Sequence, residues 1–144
     1  MNMPTTVSSY VGIDISKSRL DVHVRPAGTA FSVPRDPDGL ADLVRRLHSL
    51  MPTLIVIEAT GGFEVTVAAA IAGASLPLAV INPRQVRDFT RATGQLAKTD
   101  ALDAKAIALF AERMQPEPRI VAVLHGPGMQ TQLPQPLLWF VSAR

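Results

Sequence analysis

The chain contains no cysteine, so it can form neither a disulfide framework nor a thiolate metal site, and any metal must be held by oxygen or histidine ligands. Its three histidines, His23, His48 and His125, share no ligand spacing, which leaves oxygen. His23 reads as an exposed strand position and His48 as a helix end. Nucleotide phosphate loops are missing as well. Gly61 and Gly62 follow an apolar run, but no G-x-G-x-x-G or G-x-x-x-x-G-K-[ST] string surrounds them, so they read as turn residues. The N-terminus, MNMPTTVSSY, lacks the basic and apolar regions of a secretory leader, and no internal repeat or heptad pattern is found. Residues 65–81, VTVAAAIAGASLPLAVI, are uncharged, yet Gly73, Ser75 and Pro77 interrupt them at the short limit for spanning a bilayer. A buried helix, a turn and a strand are expected there, with no membrane partner and a reducing cytoplasm as the default compartment.

What is present suits one compact domain. A length of 144 residues with 47% hydrophobic and 18% charged side chains is enough to build a single core. Fourteen basic against twelve acidic residues give a net charge of +2, which permits a polyanion partner without requiring one.

Residues 10–15 form a short apolar run that carries Asp14, and at 20–25 Leu20, Val22 and Val24 alternate with Asp21, His23 and Arg25, the period of a half-buried strand. After a turn at 26–29, residues 30–33 return as a third strand. Pro37 then suits a first helical turn, and Leu40, Leu43, Val44, Leu47 and Leu50 recur at three- and four-residue spacing, which predicts an amphipathic helix ended by Met51 and Pro52. The β-branched run at 54–57 predicts a strand covered on both faces and closed by Glu58. Helices are expected over about 64–72, 84–92 and 99–113, and a fifth strand at 78–81. A meander followed by alternating helices and strands is an α/β order, that of an RNase H-like fold with a mixed five-stranded sheet. Five prolines between Pro116 and Pro136 mark residues 114–144 as a separate Pro-rich tail.

Ligands gather at the carboxyl ends of parallel strands in such a sheet, which is where Asp14 and Glu58 fall. Asp100 and Asp103 are three apart, so one helix would place both on one face. Four carboxylates are a suitable donor set for a pair of hard divalent cations in phosphodiester chemistry. Each has a structural alternative: an acid at a helix start is ordinarily a cap, and Glu58 alone could pair with a surface cation. Asp14, closing a buried apolar strand, needs a partner or a metal.

Three blocks, YVGIDISKSRLDVHV, IVIEATGGFE and VINPRQVRDFTRATGQLAKTDALDAKAIALFAER, resemble the N-terminal RuvC-like domain of the DEDD insertion-sequence transposases, relatives of the pilin-gene invertases. The resemblance covers about residues 9–113 and includes the K-T-D-x-x-D-A string from Lys98 to Ala104. It implies catalytic and metal-binding roles for Asp14, Glu58, Asp100 and Asp103, with Mg²⁺ or Mn²⁺ as a pair of ions, DNA as substrate, a homo-oligomer or full-length transposase as partner, and in some members a guide RNA. The family continues into a helical segment and a serine-bearing domain, whereas this chain turns Pro-rich after Arg113 and ends at Arg144, so truncation ahead of that domain is expected. Ser142 is no nucleophile on this reading.

Arg84, Arg87 and Arg91 fall on one helical stripe, with Lys98 and Lys105 close to the acidic pair, a pattern suited to nucleic-acid phosphates or to a solvated helix face. Only Phe89 stands near for stacking. Two competing functions remain: a non-catalytic remnant that binds nucleic acid or full-length transposase, and an actin-like ATPase or sugar kinase. Against the second, Ile15, Ser16 and Lys17 follow Asp14 where a phosphate loop would need glycine and threonine.

Overall fold

The computed structural model describes residues 8–94 and 103–118. Strands β1 (Tyr10–Ile15), β2 (Arg19–Arg25) and β3 (Thr29–Pro34) form an antiparallel meander, followed by α1 (Pro37–Leu50), β4 (Leu54–Glu58), α2 (Glu64–Gly73), β5 (Leu78–Ile81), α3 (Pro83–Ala92) and α4 (Ala104–Met114). The sheet order is β3-β2-β1-β4-β5, with β4 parallel to both β1 and β5. This is the mixed five-stranded RNase H-like α/β architecture that the order of elements predicts.

Local chemistry sets the boundaries. Asp36 caps α1 by accepting from the Gly39 amide at 2.7 Å, Pro37 occupies the first turn, and Met51 ends the helix in left-handed backbone. Asn82 and Gln85 form a capping box at the start of α3. Among the described residues no helix is long and apolar enough to cross a membrane, and residues 65–81 divide into α2, a turn and β5 as expected.

Strand alternation assigns the two faces. Val11, Ile13, Ile15, Leu20, Val22, Val24, Ile55 and Ile57 point to one side and pack with Leu43, Leu47, Val67 and Ile71 of α1 and α2. Tyr10, Leu54, Val56 and Ala79 point to the other and pack with Val86 of α3 and Ile107, Phe110 and Ala111 of α4. α4 lies across β1 and β2 and reaches β4. It can come that close because of Gly12, where an added Cβ would stand 2.2 Å from the Ala108 nitrogen and 2.5 Å from the Ala104 oxygen.

The start of α4 corrects one expectation. Helix was expected from residue 99, but α4 begins at Ala104. Asp103 precedes it in extended backbone (φ −131°, ψ 175°), its carboxylate accepting from the Ala106 amide at 2.9 Å. A short acidic side chain offers the backbone amides an alternative partner and stops the helix propagating backwards. Asp103 is therefore the cap of α4 rather than a residue inside it. Asp100 and Lys98 lie outside the described residues.

Candidate acidic centre at the carboxyl end of the sheet

β1 and β4 run parallel in register from Tyr10 opposite Leu54 to Ile13 opposite Ile57, so Asp14 and Glu58 each follow the last pair at the same end of neighbouring strands. Both continue the alternation of Gly12 and Val56, which turns them to the α3 and α4 side. Asp103, at the tip of α4, reaches the same place: it lines a trough together with Asp14, Asp21, His23, Ser32 and Lys105. Of the four expected acids, Asp14 thus has Asp103 beside it in the trough and Glu58 on the neighbouring strand, while Glu58 itself does not line the trough.

Their electrostatics are strained. Glu58 is only 8% exposed, and its Oε2 is buried without a hydrogen-bond partner. Burial pushes its carboxyl above the ordinary range and Asp14 pushes it further, with Arg87 of α3 opposing. Asp14, half-buried, is likewise raised, first by burial and then by Asp21 and Asp103, against Arg19. An orphaned buried carboxylate oxygen beside a second raised carboxyl, in an all-oxygen donor set, suits a hard divalent cation that would relieve both penalties. Among the described residues no three acidic or histidine side chains are close enough to hold one ion. The described acids form an electrostatic cluster, not a closed coordination shell.

The basic residues divide between two helices. Arg84 and Arg91 are exposed and Arg87 half-buried on α3, with Arg91 4.0 Å from Asp88, while Lys105 is exposed on the first turn of α4. Arg87 is the member of the stripe that acts on Glu58. Phe89, the aromatic expected nearest the site, is not free to stack: its ring meets Phe110 edge-on at 5.6 Å, bracing α3 against α4. His23 is half-buried in the trough rather than exposed, and burial followed by the Lys105 and Arg25 charges lowers its pKa, with Asp103 opposing. Gly61 and Gly62 take positive φ (76° and 121°), as turn residues can.

Asp21 is the neighbour that the sequence reading passed over. It pairs directly with Asp14 across β1 and β2, is 3.1 Å from the Arg19 guanidinium, and accepts from the Ser32 hydroxyl. Its signal was available: a short turn at 16–18 puts residue 14 opposite 21.

A mixed five-stranded sheet with acids at the ends of its central parallel strands defines the class, that of RNase H-like α/β domains. A family model described as transposase, of the DEDD type named for IS110, matches residues 11–125, and the chain belongs to that family. The match begins within β1 and extends past α4. No curated protein matches the chain.

Proposed function

We propose that this chain is the metal-dependent, phosphodiester-cleaving domain of a DNA transposase, with Asp14, Glu58, Asp100 and Asp103 as its catalytic metal ligands. The observation that carries the reading is the buried, unpartnered Glu58 Oε2 beside Asp14 at the carboxyl end of the parallel strands. Bound divalent cations of the Mg²⁺ or Mn²⁺ kind, two on this reading, would supply the positive charge that lowers the pKa of an attacking water or hydroxyl and stabilises the leaving oxygen.

The chain's own residues divide the remaining work. Asp14 and Glu58 are held by the sheet, so their backbones provide a fixed base. Asp103 divides its carboxylate: Oδ1 caps α4, leaving Oδ2 for the centre. Arg84, Arg87, Arg91, Lys98 and Lys105 would bind phosphates on either side of the reacting one. Asp21 sets the local charge around Asp14 while staying tied to Arg19 and Ser32. By resemblance the reading extends to an oligomer or a full-length transposase as partner, to a guide RNA, and to work in the cytoplasm.

The test is cleavage of nicked, branched and duplex DNA by the purified chain, with Mg²⁺ or Mn²⁺ and with chelator. Asp14→Asn is expected to lower metal-dependent cleavage by on the order of a thousandfold or more. If no DNA is cut in either metal, the catalytic reading fails and a DNA-binding remnant replaces it.

A further inference from the structure

Beyond the acids, the same end of the sheet carries a second group of side chains. The β1–β2 turn and the β4–α2 loop leave neighbouring strands side by side, the first carrying Lys17 and leading into Arg19 at the start of β2, the second carrying Phe63. Arg35, between β3 and α1, joins them. Its amide donates to the Ser18 carbonyl at 3.0 Å and its Nε to the Lys17 carbonyl at 2.7 Å, while its guanidinium stacks 4.6 Å from the centre of the Phe63 ring.

The loop is held firmly. The Glu64 carboxylate accepts from the Thr60 and Gly62 amides, both at 2.9 Å, and from the Thr60 hydroxyl. The Thr60 and Gly62 amides are therefore occupied within the loop, and the groups it offers outward include the Phe63 side chain. Burying the ring would have been the ordinary outcome for an apolar side chain, yet Phe63 stays 39% exposed with a planar cation against it. Lys17 is exposed, and neither it nor Arg35 makes an ion pair among the described residues. Arg19 is paired with Asp21 but remains 64% exposed.

An aromatic ring stacked on a guanidinium, with cations beside it, matches a nucleotide in both its parts: a planar base and a phosphate. We propose that Phe63 and Arg35 form a stacking platform for an unpaired base of a DNA strand, with Lys17 and Arg19 holding its phosphates. This rests on the proposed function. α2 follows Phe63 and packs on the α1 side of the sheet, whereas Asp14 and Glu58 turn to the α3 and α4 side, so the acids stand between this platform and the arginine stripe of α3. A strand crossing the sheet end would meet cations on both sides of the acidic centre. Single-stranded DNA fits better than duplex because a paired base keeps both faces stacked on its neighbours.

The test is fluorescence anisotropy of a labelled single-stranded DNA oligonucleotide with the full chain in chelator, against a duplex and a single-stranded RNA of the same sequence. Phe63→Leu is expected to weaken single-stranded DNA binding roughly 5- to 100-fold while duplex binding stays within about twofold. Phe63→Tyr, which keeps the ring, should restore it. Lys17→Gln should reduce the slope of log affinity against log salt by about 0.7. Thermal melting checks that each variant folds; should Phe63→Leu not fold, Phe63→Tyr and Lys17→Gln carry the test. Unchanged single-strand affinity in Phe63→Leu, or in Lys17→Gln an unchanged slope, overturns the platform. An equal or larger loss on RNA overturns its assignment to DNA. Wild type that binds single-stranded DNA in chelator but cuts nothing with metal leaves the platform standing and sinks the catalytic reading, so the two failures are distinguishable.

Discussion

The two faces of the sheet are built on different principles. Toward α1 and α2 every strand residue named in the core is aliphatic, and Leu43, Leu47, Val67 and Ile71 meet them fully buried. Toward α3 and α4 the face changes along the strands: Tyr10, Leu54 and Val56 are packed against Phe110 and Ile107, and then, one or two pairs further on, come Asp14, Glu58 and Asp21. The first face supplies hydrophobic stabilisation without interruption. The second gives up part of that stabilisation at one end to hold like charges in a half-covered place, a local conflict of the kind expected at functional sites.

The joint between the two regimes is Gly12, and the largest stability effect is expected there. Gly12→Ala forces a methyl group into the backbone of α4 at Ala104 and Ala108, where no side-chain rotation relieves the contact. Overpacking of this kind costs about 1–3 kcal/mol, occasionally more. Because Asp103 sits at the tip of α4, a helix lifted from β1 also carries that carboxylate away from Asp14. Urea unfolding should show the lower midpoint, and Mg²⁺ should raise the melting temperature less than in wild type. An unchanged midpoint would mean that the close seat of α4 is not what joins the faces.

Glu58→Gln probes the charged end with a smaller effect and the opposite sign. Its charge is buried, unpartnered at Oε2 and beside Asp14, so neutralising it should stabilise the metal-free chain by about 1 kcal/mol, a few degrees in melting temperature. Stabilisation by Mg²⁺ should disappear at the same time. A metal-free variant less stable than wild type would show that Glu58 contributes to the fold as an ordinary polar group, and the contrast between the faces would weaken.

Most of this architecture is legible in the sequence. The alternation of Leu20, Val22 and Val24, the spacing of Leu40, Leu43 and Leu47, and Pro37 behind Asp36 each report a local preference that tertiary packing agrees with. What was not legible depends on contacts between segments distant in the chain. Asp103 reads equally as a helix residue or a cap, and only its seat against the sheet decides. Phe89 looks available until α4 brings Phe110 to its edge. Phe63 carries no local signal in the sequence, and its exposure against Arg35 requires the β3–α1 link to cross the end of the sheet. Of the acidic centre, Asp14 and Glu58 were legible from strand ends alone, whereas Asp21 required the pairing of β1 with β2.

The smallest expected effect concerns an acid with the opposite environment. Burial acts to raise the Glu64 carboxyl, but hydrogen bonds from the backbone amides of Thr60, Glu64 and Gly62 and from the Thr60 hydroxyl outweigh it and hold the pKa below the ordinary glutamate value. A group depressed in the folded state adds stability that is complete above its unfolded pKa and is lost as pH falls through the lower folded value. Asp14 and Glu58, raised in the folded state, act in the reverse sense, so acidification relieves their repulsion before it costs the Glu64 bonds. The Glu64 contribution is therefore read as the difference between wild type and Glu64→Gln across a pH series in chelator. That difference should be about 0.5–1 kcal/mol near neutrality and shrink toward zero only below the ordinary glutamate range. A difference that does not change with pH would mean that the loop is held by the shape of the side chain rather than its charge, and Phe63 would then be presented equally well by glutamine.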